Sequence, residues 1–350
     1  VAEVAVAAPV TGPPPSPTPL AAGSRWRAVT GSYAFRLSAV SAVAVAAAIG
    51  ILVYGNPAEP GTRGFWIIVE SRFASVGTIL VVAFCHGIAT VIFHTVTNNR
   101  ILTPSILGFD ALYRVIQTAL VFFFGAGTLA ATDGLGKVAL QSLIMIAFAS
   151  LLYGWLFTGT RASLHLLLLV GVVLGMGFGS LSTFMQRLLT PSEFDILTAR
   201  LFGNISASDS SYLPWGALVC VAVGAVVWRR RYVLDVVALG RETATSLGVR
   251  HQREVMLTLV LVAVLVSVST SLVGPMTFFG FVVAMLTYQV VGTSAHSRTL
   301  PMVVAVAAAT LLLAYFVLRH VFYAAGLISV IIEFCGGLIF LVYLLRKGLR

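Results

Sequence analysis

The chain has 350 residues, 59% of them hydrophobic and only 10% charged, with a formal net charge of +10. Soluble domains carry roughly a quarter charged residues, so this composition, with a mean hydropathy of +0.99, excludes a soluble globular protein and indicates an all-α polytopic membrane protein. The basic excess does not require nucleic acid, because membrane proteins concentrate Lys and Arg in their cytoplasmic loops, and no nucleic-acid partner is expected.

Residues 1–24 are rich in Ala, Val and Pro and contain PPPSPTP. They lack the basic start and long apolar core of a secretory signal and read as a disordered cytoplasmic tail. Trp26 between Arg25 and Arg27 then marks a membrane interface. A span needs about 20 apolar residues to cross a hydrocarbon core of roughly 30 Å. Ten segments meet that need, some of them short or interrupted: 35–54, 72–95, 105–124, 136–157, 163–186, 212–229, 255–272, 275–292, 300–318 and 326–345. The third and eighth begin at Pro104 and Pro275, which suit a first helical turn.

Between the sixth and seventh spans lies a polar island, Leu239–Arg253, with sequence LGRETATSLGVRHQR. Arg229, Arg230 and Arg231 precede it. Its alternation of Leu239, Ala244, Leu247 and Val249 with Arg241, Glu242, Thr245 and Arg250 is enough for about two helical turns. Gly240 and Gly248 sit where turns need freedom in φ. The island reads either as a handle for a soluble partner or as an ordinary basic loop. With the N-terminus inside, fifteen of the 22 Lys and Arg fall on the cytoplasmic side, six lie outside and Arg114 sits within a span. That bias puts both termini, and the island, in the cytoplasm.

Catalytic signatures are missing from the sequence. Neither Lys137 nor Lys347 sits in a phosphate loop, and no HExxH or GxSxG occurs. Cys85, Cys220 and Cys335 fall in apolar runs and read as packing residues. The chain is therefore expected to be no enzyme, with transport energy supplied by another polypeptide or an ion gradient. Two further patterns stand out. Pro104-Ser-Ile-Leu-Gly-Phe109 is echoed by Pro275-Met-Thr-Phe-Phe-Gly-Phe281, five spans apart and on opposite membrane sides, as in an inverted repeat. Gly171, Gly175 and Gly179 form a small-residue stripe, followed by Ser180, Ser182, Thr183 and Gln186.

Taken together, Asn99…Pro104…Leu107-Gly108, the island Leu239-Gly-Arg-Glu…Ala244…Leu247-Gly248-Val249, Gly274-Pro275 with Phe278 and Gly280, and Gly336-Gly337…Phe340…Tyr343-Leu344-Leu345 resemble the iron-siderophore (FecCD) permeases. These are the transmembrane subunits of bacterial type II ABC importers, and their fold is shared with the vitamin B12 permease. The resemblance covers roughly residues 35–346 and departs from many relatives at Asp110-Ala111-Leu112-Tyr113, Ala284, Met285 and Tyr288. It implies that residues 25–350 form one polytopic permease domain of about ten helices in the bacterial plasma membrane.

The resemblance also implies a set of partners: a second permease, expected to be a related paralogue, two cytoplasmic ATP-binding cassette subunits that hold the ATP and Mg, and an extracytoplasmic siderophore-binding protein. The cargo is a ferric siderophore. Gly240, Arg241, Glu242, Ala244, Leu247, Gly248 and Val249 become the ATPase-coupling segment, with Arg241 and Glu242 making ionic contacts and Ala244, Leu247 and Val249 the apolar side. Arg72 and Arg319 match positions that meet acidic residues of the binding protein. Thr158, Thr160, Gly175, Gly179, Ser180 and Thr183 border the path or its inner gate, although a plain turn accounts for the first two and helix packing for the glycines.

Asp110 and Arg114, spaced i,i+4, read as a self-neutralising pair within the third span. Glu333 has no such neighbour and is protonated, paired across helices or directed at the path. From a different class, a proton- or sodium-coupled secondary transporter would use Asp110, Arg114 and Glu333 as its relay.

Overall fold

The computed structural model describes residues 32–131, 135–157, 164–201 and 212–322, with scattered positions between 331 and 345. In chain order the helices are α1 (Tyr33–Val53), α2 (Arg63–Thr97), a 3-10 turn (Pro104–Leu107), α3 (Phe109–Ala131), α4 (Leu135–Phe157), α5 (Leu164–Gln186), α6 (Pro191–Leu201), α7 (Leu213–Arg229), α8 (Arg231–Val237), α9 (Arg241–Ser246), α10 (His251–Val273), α11 (Phe279–Val291) and α12 (His296–His320). Six described helices are long and apolar enough to cross a membrane, and α7 and α11 are shorter apolar helices.

The bundle is built around α2, whose apolar window is 83% buried. Helices α1, α7, α8, α10, α11 and α12 all pack against it, while α3 pairs with α5 and α4 with α10. At 35 residues and about 1.5 Å per residue, α2 is about 52 Å long and outreaches the hydrocarbon core. It starts nine residues before the expected span. The Thr62 hydroxyl accepts from the Phe65 N–H at 3.3 Å and so caps the helix N-terminus.

Two expected helix starts shift. Pro104 opens the 3-10 turn rather than α3, which begins after Gly108 at φ 87°. Pro275 lies in a break after Gly274 (φ 82°), and α11 begins only at Phe279. The two echoing segments also meet. The chain after α2 folds back along it, since Leu102 O accepts from His94 Nε2 at 2.8 Å. This brings the start of α3 against the α10–α11 break, where Thr277 Oγ1 donates to Asp110 Oδ2 at 2.8 Å.

The glycine stripe of α5 packs on this re-entrant turn. A Cβ at Gly171 would lie 2.9 Å from Leu107 Cα, and one at Gly175 would lie 3.4 Å from Gly108 Cα. Backbones approach this closely only where the side chain is a hydrogen atom. Helix α6 carries a capping box. Thr190 N–H donates to Glu193 Oε2 at 3.1 Å, and the Thr190 hydroxyl holds the Glu193 carboxyl below its ordinary pKa.

Candidate coupling site and translocation face

The island folds as the expected short helix and turn, preceded by a second short helix, α8. Gly240 (φ 94°) and Gly248 (φ 82°) bracket α9, a backbone region that other L residues rarely enter. Ala244 is fully buried, which anchors α9 to the body, and its carbonyl accepts from the Val249 N–H at 2.9 Å, closing the turn after the helix. Arg241, Glu242, Thr243, Thr245, Ser246 and Arg250 are exposed and Val249 is half-buried. Leu239 is 59% and Leu247 61% exposed. The expectation of one apolar side formed by Ala244, Leu247 and Val249 is therefore corrected. On so short a helix Ala244 and Leu247 point apart, one into the bundle and the other outward with the charges.

Two polar links hold the helices on either side of this island. Arg230, at the end of α7, pairs with Glu254 at the start of α10, its Nε 3.1 Å from Oε2 and its Nη2 against Oε1. Asp235 on α8 accepts at one carboxylate oxygen from the backbone N–H of His296 (2.8 Å) and lies 2.6 Å from His296 Nδ1. A carboxylate oxygen only accepts, so Nδ1 carries the proton. The other ring nitrogen, Nε2, is 2.7 Å from Thr95 Oγ1 on α2. One continuous polar chain thus runs from the α8–α9 unit through α12 to the central helix.

Beside this chain lies a cavity of about 790 Å³, walled by His94, Asn98, Arg100, Asp235, Tyr288 and His296 among others. His94 gives its Nε2 proton to Leu102 O, so Nδ1, 3.1 Å away, accepts from the Tyr288 hydroxyl. Arg100 stacks 4.5 Å over the Tyr288 ring. The loop after α2 is thereby fixed to both α2 and α11.

The Asp110 carboxylate bonds the Thr277 hydroxyl directly and meets the Arg114 guanidinium only through a longer electrostatic interaction. Asp110 is buried and held by the Thr277 and Ser105 side chains, whereas Arg114 is exposed and its Nε donates to the Asp110 backbone oxygen at 3.4 Å. The carboxylate is turned toward the α10–α11 break. On α5, Ser182 bonds Thr118 of α3 at 2.8 Å, and Gln186 donates to both hydroxyls. Ser180 and Thr183 are exposed, Gly179 has open space where a Cβ would stand, and Gly175 is taken up in packing. The free face of α5 is completed by Val173, Met176 and Phe184. Thr158, Thr160 and Glu333 lie outside the described residues.

At the opposite end, Arg72 is only 5% exposed. Its guanidinium donates to four carbonyls at the end of α1: Ile51 (3.1 Å), Leu52 (3.3 Å), Tyr54 (2.8 Å) and Gly55 (3.0 Å). These are among the carbonyls that a helix C-terminus leaves without partners. The expectation that Arg72 offers a free charge for docking is corrected: it caps a helix. Arg319 is half-buried, and its Nη1 donates to the Tyr315 hydroxyl at 2.9 Å.

Sequence reasoning missed the Asp235–His296–Thr95 chain. Its one legible signal was an isolated acid in the apolar run after Arg231.

The profile of the FecCD transport family matches residues 28–347. The chain is 44% identical over 315 residues to the petrobactin import system permease protein FatC of Bacillus anthracis, covering 90% of this chain and 89% of that protein. It is also 24% identical over 294 residues to the petrobactin import system permease protein FatD of the same organism, with 83% of each covered. A solved metal-chelate type ABC transporter in an inward-facing conformation superposes with a TM-score of 0.72 at 22% identity, covering 90% of this chain and all of the other, which places the fold.

Proposed function

The chain belongs to the FecCD transport family, and on that premise we propose that it is the permease subunit of an ATP-driven importer carrying a ferric siderophore across the bacterial plasma membrane. The names of FatC and FatD make petrobactin the first siderophore to try and a second, related permease the expected partner. Both termini and the island then face the cytoplasm. ATP and Mg belong to the partner ATPases, and an extracytoplasmic binding protein delivers the cargo.

The observation that carries this reading is the construction of the island. Arg241, Glu242 and Leu247 face outward from a glycine-bracketed helix, and Asp235, just before it, is wired through His296 to α2. An ATPase that grips this helix moves α8, α12 and α2 as connected bodies, by the rigid-body mode of gating. The free face of α5, with Gly179, Ser180 and Thr183, borders the path. Thr158 and Thr160 are assigned to the inner gate, and Arg319 without Arg72 to the binding-protein contact.

Uptake of radiolabelled ferric petrobactin by cells lacking the chromosomal copy tests the reading. Transport restored by this chain, abolished by ATP depletion and preserved when the proton and sodium gradients are collapsed is the expected result. The reverse dependence means a secondary transporter.

A further inference from the structure

The surface groove between α2, α7 and α12 has a shape and a charge that nothing in the transport reading uses. It encloses about 540 Å³, and all its lining residues are apolar except Cys220, a thiol. On α7 it extends from Ala217 to Trp228, a rise of about 17 Å. That is about half of a 30 Å hydrocarbon core and matches the depth of one leaflet. Toward the start of α7 the groove is closed, because Leu213 fills the space over Gly77, where a Cβ would lie 2.3 Å from Leu213 Cδ2.

The other end opens at three arginines. Arg230 is occupied by Glu254. The Arg231 guanidinium stacks 4.5 Å over Trp228, which lines the groove, and 4.4 Å from the Tyr232 ring. It donates to Trp228 O and Tyr232 OH, which leaves three of its five N–H groups for another acceptor. Arg229 is exposed at the same end.

We propose that this groove is a binding site for an anionic phospholipid, one acyl chain lying between Ala217 and Trp228 and the phosphate held by Arg229 and Arg231. A transmembrane helix is a poor occupant, since the groove ends halfway across the bilayer. A neutral lipid leaves two cations unmatched. Guanidinium pairs with phosphate oxygens through parallel N–H bonds, and the stacked rings hold the Arg231 fork in place beforehand.

The assembled protein is placed in nanodiscs containing phosphatidylglycerol or phosphatidylcholine with a photoreactive acyl chain, and cross-linked peptides are mapped. The wild type should be labelled within 217–228 about fivefold more by the anionic lipid, the preference expected from one to two interfacial arginines. Arg229→Gln alone should lower that preference, and Arg229→Gln with Arg231→Gln should abolish it. Ala217→Trp should cut labelling by both lipids, because the ring fills the groove. Equal labelling of the wild type by both lipids overturns the site. So does a preference that survives both arginine substitutions, or labelling that Ala217→Trp leaves unchanged.

Discussion

The two ends of the bundle use charge in opposite ways. At the island, Arg241 and Glu242 are exposed and one small apolar residue, Ala244, holds the helix to the body. At the far end, Arg72 is buried and spends its donors on four carbonyls of α1. Both stand at the margin of an apolar run, where a charge reads equally well as a contact, a membrane anchor or a cap. What separates them is local: α9 is bracketed by positive-φ glycines that lift it off the bundle, whereas Arg72 sits within a continuous helix packed against its neighbours. A charge on an element that the backbone turns outward is available to a partner, and a charge inside a packed helix is already committed.

The largest effect separating the two ends should come from Arg72→Ala. Four carbonyls at the end of α1 lose the buried guanidinium that donates to them, at a cost of about 3 kcal/mol. The expected outcome is a lower melting temperature in detergent and reduced membrane yield, partly recovered in Arg72→Lys. A variant that folds normally but captures the binding protein slowly would return Arg72 to the docking surface. Next is Gly248→Val, which forces a β-branched residue to φ 82° at about 1–3 kcal/mol of local strain. Because the island is exposed, melting should change little while ATPase co-purification and uptake fall.

Asp235→Asn should leave the exposed face of α9 intact but weaken its link to His296. ATPase should still bind, and hydrolysis should continue with reduced uptake per ATP. Loss of ATPase binding would place Asp235 in the docking surface instead. The smallest contrast is within the third span. Asp110→Ala leaves the Thr277 hydroxyl without its acceptor and should cost about 1–2 kcal/mol, while Arg114→Gln, at an exposed residue with no direct hydrogen bond to that carboxylate, should shift stability by less than about 0.5 kcal/mol. Equal losses, rescued in the double variant, would restore the ion pair.

Hydrophobic runs made the spans legible, and the island was legible because two glycines flank a mixed helix. Starts and partners were harder. The early start of α2 depends on the Thr62 hydroxyl, a one-residue signal, and the apolar run Phe65–Val69 that follows it is cut off from the main span by Glu70, Ser71 and Arg72. The re-entry of Pro104–Leu107 depends on His94 meeting Leu102, which periodicity does not encode. Asp110 is bonded to Thr277, 167 positions away, and Asp235 to His296, 61 away. The i,i+4 rule proposed Arg114 because it weighs only neighbours on one helix. Arg72 was misplaced for the same reason: its acceptors belong to the preceding helix, and their freedom to accept appears only once α1 and α2 are packed.

The most direct test of the account is site-specific photo-cross-linking in the assembled transporter, in its native membrane. A photoreactive residue replacing Leu247, exposed on the island, should cross-link to the ATPase subunit, and one replacing Arg319 should not. Cross-linking from position 247 to lipid or to the extracytoplasmic binding protein, with none to the ATPase, would contradict the assignment of the island as the coupling element.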